Sequence, residues 1–259
     1  AGHYTLGEGM NVIKIVRMFA LGEQTPVNLV VGEARTLPQL AGKLSKQIMA
    51  DSATILNVMY DKAEREAVGY KRDSLIALFI PNTYQVYWNI SPQQLLARMK
   101  KESDTFWSSR EQGLANCKLS KYQAMTLASI VYEETKNKGE MPKIAGVYIN
   151  RLRKKIPLQA CPTVKYAMGD FSLTRILHKH LKYDSPFNTY RNAGLPPAPI
   201  CIPSISAIDA VLNYQKSDYL YFCARPEFDG THNFAKTLRE HNANSKRYNE
   251  ALKRLKQKK

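Results

Sequence analysis

The chain has 259 residues, 44% of them hydrophobic, and a formal net charge of +16 at pH 7. That is enough apolar content to bury the core of one large domain or two small ones, and no run of about 18 apolar residues marks a membrane-crossing helix. The charge calls for a polyanionic neighbour, but the 10% aromatic residues are spread along the chain rather than grouped as the stacking platforms of single-strand binders, so nucleic acid is not expected as a partner.

In chain order, His3 to Leu6 reads as a strand, and Asn11 to Leu21 has helical periodicity. Val27 to Val31 has the β-branched bias of a second strand. A turn at Gly32 follows, with Thr36 placed to cap a helix carrying Leu40, Leu44 and Ile48; Asp51 repeats the device for a helix through Met59. Strand, turn and two short helices are similar to the LysM module, a binder of N-acetylglucosamine-containing glycans, and equally to a βαα element with no binding role.

The texture changes near residue 76. Phe79 to Tyr84 mixes aromatic and turn residues, Ser91-Pro92 opens an amphipathic helix to Trp107, and Ser120 opens another that ends near Asn137 to Gly139. Pro142 starts a further helix through Tyr148 to Leu152, stopping before Pro157. Beyond Leu181 the chain is loop-rich, with a rigid extended segment at Gly194 to Pro199. Tyr219 to Cys223 reads as a buried strand, followed by a turn and a closing basic helix. The pattern predicts an α+β fold: an N-terminal region at 1–75 with a LysM-like βαα subdomain at about 27–75, then a larger mixed catalytic domain at 76–259.

Several chemistries lack their residues. The four cysteines, Cys117, Cys161, Cys201 and Cys223, form no C-x-x-C. His178 and His180 have no acidic companions, and His232 and His241 read as hydrogen-bonding residues of the fold, so no metal site is expected. Neither a G-x-S-x-G elbow nor a phosphate-binding glycine loop is present. Acid/base chemistry remains. In Leu127 to Thr135, helical phase puts Glu134 in line with Leu127, Ile130 and Val131, and Glu133 with Thr126 and Ser129 on what reads as the solvated edge. A carboxyl group on an apolar face loses hydration of its charged form and can hold a proton near neutral pH. Phase alone leaves two roles for Glu134 open, a structural ion pair and a general acid.

Leu127-Ala-Ser-Ile-Val-Tyr-Glu-Glu-Thr135, Ile144-Ala-Gly-Val-Tyr-Ile-Asn-Arg-Leu-Arg153, Leu158-Gln159, Pro162-Thr-Val, Tyr166, Asn188-Thr-Tyr190 and Gly194-Leu-Pro-Pro197 occur in one order and spacing. Tyr219 to Phe222, His232, Phe234 and His241-Asn242 extend the set. Together they resemble the endolytic murein transglycosylases, the YceG-like family. The resemblance implies an enzyme, without cofactor, that cuts peptidoglycan glycan strands between N-acetylmuramic acid and N-acetylglucosamine and leaves 1,6-anhydromuramoyl ends. It makes Glu134 the catalytic acid and implies substrate contacts for Glu140, Asn150, Gln159, Thr163, Tyr166, Asn188, Thr189 and Tyr190. Glu140 could equally form a surface salt bridge, and each of the other side chains could equally hold loops together. Arg151 and Arg153 read as solvated helix residues or as partners of substrate carboxylates, and Tyr221, Phe222 and Phe234 as core.

The family usually has Asp where this chain has Cys161, and an acidic residue where it has Tyr132. A disulfide from Cys161 to Cys201 or Cys223 is a further expectation that rests on compartment alone. The resemblance also implies a periplasmic or extracytoplasmic location, peptidoglycan synthases as partners, and anchoring to the inner membrane through a segment upstream of Ala1. A muramidase and a non-catalytic glycan-binding protein are the competing readings.

Overall fold

The computed structural model describes residues 1–173 and 175–257. Its contacts divide the chain into two compact units, Ala1–Ser108 and Ser109–Lys259.

The first unit holds α1 (Val12–Leu21), β1 (Val27–Val31), α2 (Leu37–Leu44), α3 (Ser52–Tyr60), α4 (Lys62–Ala67), a 3-10 turn (Leu75–Leu78), β2 (Asn82–Val86) and α5 (Pro92–Ser108). Its helices start where short polar side chains take up free amides: Thr36 Oγ1 accepts from Gln39 N–H at 3.3 Å and Asp51 Oδ1 from Thr54 N–H at 2.8 Å. Ser91 and Gln94 do the same reciprocally for α5. Strands β1 and β2 pair antiparallel from Val27 opposite Val86 to Val31 opposite Asn82. Leu29, Leu40, Leu44, Ile55, Leu75, Phe79 and Leu95 fill the core beneath them.

Four expectations change here. His3 to Leu6 is not a strand; it runs extended beside Thr25, whose N–H donates to His3 O at 2.8 Å. Ile48 is buried but lies past the end of α2. The segment after Phe79 is a strand whose turn-like Pro81-Asn82 start hides the alternation of its burial. Because β2 pairs with β1, this unit extends to residue 108, beyond the boundary expected at 75/76.

The second unit comprises α6 (Glu111–Cys117), α7 (Lys121–Glu134), α8 (Met141–Arg153), α9 (Cys161–Met168), α10 (His178–Leu181), α11 (Ile205–Leu212), β3 (Tyr221–Ala224), β4 (His232–Ala235) and α12 (Leu238–Gln257). Helix α7 is its axle, packed against α8, α9 and α11, while the antiparallel pair β3–β4 packs against α12. Ser120 and Gln123 form a capping box at its start. Every residue from Ala124 to Val131 is buried, as expected of a helix surrounded by neighbours on all sides. Thr126 and Ser129 are therefore core residues, not a solvated edge: Ser129 Oγ donates to Thr126 O at 2.7 Å and accepts from Ile200 N–H at 3.0 Å. That second bond ties the Pro-rich segment after Gly194 to the axle. In α8, Gly146 allows a close approach, since a Cβ there would stand 2.4 Å from the Gln215 carbonyl oxygen.

Helices and strands are thus segregated as in an α+β fold. Helices α9 and α11 do not stand out in the sequence because each begins at or beside a proline, at Pro162 and Pro203, within segments that look like loops. Strand β3 is partly exposed along its length rather than buried, and β4, just past the expected Pro/Gly turn, is a strand that the sequence pattern does not predict.

Candidate active site

Helix α7 ends at Glu134, because Thr135 turns extended at φ −147°. The carboxyl group therefore leaves the axle at its C-terminal end, where the partial negative charge of the last carbonyls opposes a second negative charge. It lines a cavity of about 400 Å³, bordered also by Tyr148, Arg151, Gln159, Tyr190, Phe222 and His232. That volume lies within the range of small-ligand sites, roughly 300–1,000 Å³.

Glu134 keeps part of its surface open to this cavity, yet protein crowds the carboxyl group closely. Desolvation pushes its pKa above the ordinary carboxylate value of 4.5, and the nearby Glu133 adds to the rise. Three groups act against it: the Tyr148 hydroxyl, His232 and Lys165. Tyr148 O–H donates to Glu134 Oε1 at 2.8 Å. Burial, reinforced by the Glu134 charge, raises the Tyr148 pKa well above its normal value, so the hydroxyl stays a donor. Its ring stands edge-on to Phe222 at 5.7 Å and 86°.

Glu133 is not the solvent-facing neighbour that phase suggested. Its side chain is 16% exposed and lies 3.9 Å from the Lys136 ammonium. The two glutamates differ in what they meet, since Glu134 lines the cavity and bonds Tyr148 while Glu133 pairs with Lys136.

Arg151 corrects the expectation of a solvated position, being 6% exposed. Its Nε donates to Leu220 O at 2.6 Å, and Nη1 to Pro157 O at 2.9 Å, Leu158 O at 3.1 Å and Gln159 Oε1 at 3.0 Å. The guanidinium also lies 4.9 Å from the Tyr221 ring centroid. One fork thus fastens the loop before β3 and the loop before α9 to helix α8. Gln159 is held in the left-handed region at φ 54°, with its N–H donating to Thr189 O at 3.1 Å.

Of the residues the resemblance singled out, Glu134, Gln159 and Tyr190 line the cavity. The Tyr190 hydroxyl lies 3.3 Å from Cys161 Sγ, and burial pushes its pKa up. Glu140 stands behind His232: Oε1 accepts from the His232 N–H and Oε2 pairs with Nδ1, both at 2.9 Å. Four others are engaged in holding loops. Asn150 Nδ2 donates to Ser217 O and Tyr219 O, and Asn188 Nδ2 to Leu181 O and Tyr183 O. Thr163 and Thr189 share a 2.8 Å hydroxyl contact, and the Thr189 oxygen accepts from Ala160 N–H. Tyr166 belongs to an aromatic cluster with Phe171 and Phe187.

Residues outside the expected set of substrate contacts also line the cavity, among them Tyr148, Arg151, Cys161, Tyr221, Phe222, Cys223, His232 and His241. The four cysteines are free thiols, so the disulfide expected of Cys161 is not formed. Among the described residues no group of three or more His, Cys, Asp or Glu side chains is arranged to hold a metal ion.

A desolvated carboxyl group, oriented by a tyrosine and opening into a polar cleft, is an arrangement that can hold and donate a proton, as sites of the general-acid class do. The chain belongs to the YceG-like family, whose model matches residues 1–247. It is 33% identical over 264 residues to the endolytic murein transglycosylase of Bacillus subtilis strain 168, covering 96% of this chain and 72% of that protein. The protein of the same name from Streptococcus pneumoniae strain D39 is 29% identical over 254 residues, covering 86% of this chain and 46% of its own length. A crystal structure of a YceG-like protein from Listeria monocytogenes superposes with a TM-score of 0.71 at 32% identity, covering 93% of this chain and 83% of that one.

Proposed function

We propose that this chain is an endolytic lytic transglycosylase acting on peptidoglycan glycan strands, with Glu134 as its acid. The observation that carries the reading is the Glu134 carboxyl group, desolvated, hydrogen-bonded to Tyr148 and open to a cleft large enough for sugar rings. Membership of the family and the names of the relatives support the substrate class.

Since Oε1 accepts from Tyr148, the acidic proton sits on Oε2. That proton passes to the oxygen leaving between N-acetylmuramic acid and N-acetylglucosamine as an oxocarbenium-like centre develops at C1. The C6 hydroxyl of the same muramoyl residue then closes on C1, its proton leaves to a base, and a 1,6-anhydro end forms. In the simplest accounting that base is the Glu134 carboxylate just produced. Gln159 and Tyr190 are the polar cavity residues placed to meet sugar hydroxyls and amides. In the first unit, the order β1, α2, α3 supports a LysM-like glycan contact. An extracytoplasmic location with membrane anchoring, and peptidoglycan synthases as neighbours, belong to the same reading.

The test is mass spectrometry of uncrosslinked glycan strands treated with wild type and Glu134→Gln. Anhydromuramoyl ends from the wild type and none from the variant are expected. Hydrated ends from the wild type would make it a muramidase, and undiminished turnover by Glu134→Gln would remove Glu134 from the chemistry.

A further inference from the structure

Glu134 is the one carboxyl group among the described residues that line the cavity, and as the acid of the proposed reaction it is uncharged until it donates. The two carboxylates nearest behind the wall already face partners: Glu133 stands 3.9 Å from Lys136 and Glu140 2.9 Å from His232. An anionic ligand therefore meets no unpartnered negative charge in the cleft. Three cations carried on or beside the helices that frame the site are engaged by the protein itself. Arg151 holds loop carbonyls and Gln159, Arg153 donates to the Tyr214 hydroxyl at 2.7 Å and lies over that ring, and Lys136 faces Glu133 and the Tyr132 ring. The two arginines that could have met substrate carboxylates are thus committed elsewhere.

Lys165 is placed differently. It lies one turn beyond Cys161 on α9, so the two share a helix face, and Cys161 lines the cavity. Thr163 and Val164 between them turn into the core, and α9 packs against α7, the helix that carries Glu134. The ammonium is near enough for its charge to act on the Glu134 carboxyl group and on the Cys161 thiol. Its side chain is partly exposed, and it has neither a hydrogen bond nor an ion pair among the described residues. A cation left without a partner at the edge of a cleft whose lining carries no standing anion is an unfilled half of an ion pair.

We propose that Lys165 is a specificity residue at the rim of the cleft, pairing its ammonium with a carboxylate carried on the muramoyl side group of the strand. The proposal rests on the reading of the cleft as a peptidoglycan site. N-acetylmuramic acid differs from N-acetylglucosamine by a lactyl ether on O3 that ends in a carboxyl group. On a naked strand this is a free carboxylate; on a substituted strand it is an amide, and the attached peptide brings carboxylates of its own. A lysine suits either source, because its ammonium is a point charge on a flexible stem and needs no planar partner. The pairing acts away from the reacting atoms, so it holds substrate and transition state alike and appears in KM rather than kcat.

The experiment compares two pairs of uncrosslinked strands: naked strands with free lactyl carboxylates against the same strands converted to methyl amides, and peptide-bearing strands against the same strands with their peptide carboxylates amidated. Wild type should show a KM about 5- to 10-fold lower for the carboxylate form of a pair, with kcat within about twofold. A difference on the naked pair assigns the lactyl carboxylate; a difference on the peptide pair alone assigns a peptide carboxylate. Lys165→Met should raise the KM of the carboxylate form to that of the amide form, and Lys165→Arg should keep most of the difference. No difference for wild type on either pair, or a difference that Lys165→Met retains, overturns the proposal. Failure of the enzymatic reading shows separately, as wild type that cleaves none of the strands. Strand affinities of Glu134→Gln, with and without Lys165→Met, then decide the pairing by the same criterion: a preference for the carboxylate form that Lys165→Met removes supports it, and a retained or absent preference overturns it.

Discussion

Tyr148 donates to Glu134 across the turn between α7 and α8, 14 residues apart and 2.8 Å between oxygens. A hydrogen bond to the charged form favours ionisation, so this hydroxyl restrains the rise that desolvation imposes on the carboxyl group. Tyr148→Phe should therefore move the Glu134 pKa further up. With Glu134 as the acid proposed above, activity should fall as pH rises through that pKa, and the alkaline limb of the rate profile should shift to higher pH in the variant. The maximal rate should drop about 10-fold as the carboxyl group loses its fixed orientation. An alkaline limb that stays in place would show that the bond does not act on the titrating group.

The same desolvation has a cost in stability. A carboxyl group with a raised pKa in the fold binds its proton more tightly there than in the unfolded chain, so stability is full below the ordinary value of 4.5. It declines as pH rises from that value through the raised one, and stays low above it. Glu134→Gln removes the titration and keeps an oxygen for Tyr148 to donate to. The variant should melt a few degrees above wild type at pH 8 and level with it at pH 4. Thermal unfolding at the two pH values checks this, and equal differences at both would disconnect stability from the ionisation.

How much of this was legible depended on whether the causes were local. Caps at Thr36, Asp51 and Ser120 lie within three residues of what they bind, and all three were read correctly. Glu134 was selected by an argument that holds only in part. Phase placed it among Leu127, Ile130 and Val131, but α7 is buried on every side, so Thr126 and Ser129 are equally internal. What distinguishes Glu134 is where the helix stops and what the next helix brings back. Tyr148, His232 with Glu140, and the Arg151 fork act over separations of up to 92 residues, and no spacing rule reports such contacts. Asn150 and Asn188 show the converse, since amide side chains that suit a glycan suit loop carbonyls equally well.

Ser129 offers a test of how the Pro-rich segment is held. Its buried hydroxyl accepts from Ile200 N–H and donates to Thr126 O. Ser129→Ala would leave the Ile200 amide buried without a partner, at a cost of about 1–3 kcal/mol. Urea unfolding should show that loss with an unchanged slope. A change well below 1 kcal/mol would mean that the segment is fixed by its apolar packing alone.

Arg151 links stability to the cleft, because a single guanidinium serves three backbone carbonyls and Gln159 Oε1. Lysine keeps the charge but offers one ammonium in place of a planar fork, and it cannot span Leu220 and Pro157 together. Arg151→Lys should destabilise the protein by about 2 kcal/mol, since buried carbonyls lose their donors. Gln159, in its left-handed conformation, would lose the contact to its side chain and with it the fixed place at the cavity wall. The expected kinetic signature is a KM on glycan strands raised several-fold, with a smaller effect on kcat, because Glu134 and Tyr148 keep their own bond. A fall in kcat with KM unchanged would instead place Arg151 in the proton chemistry, where its neighbours do not put it.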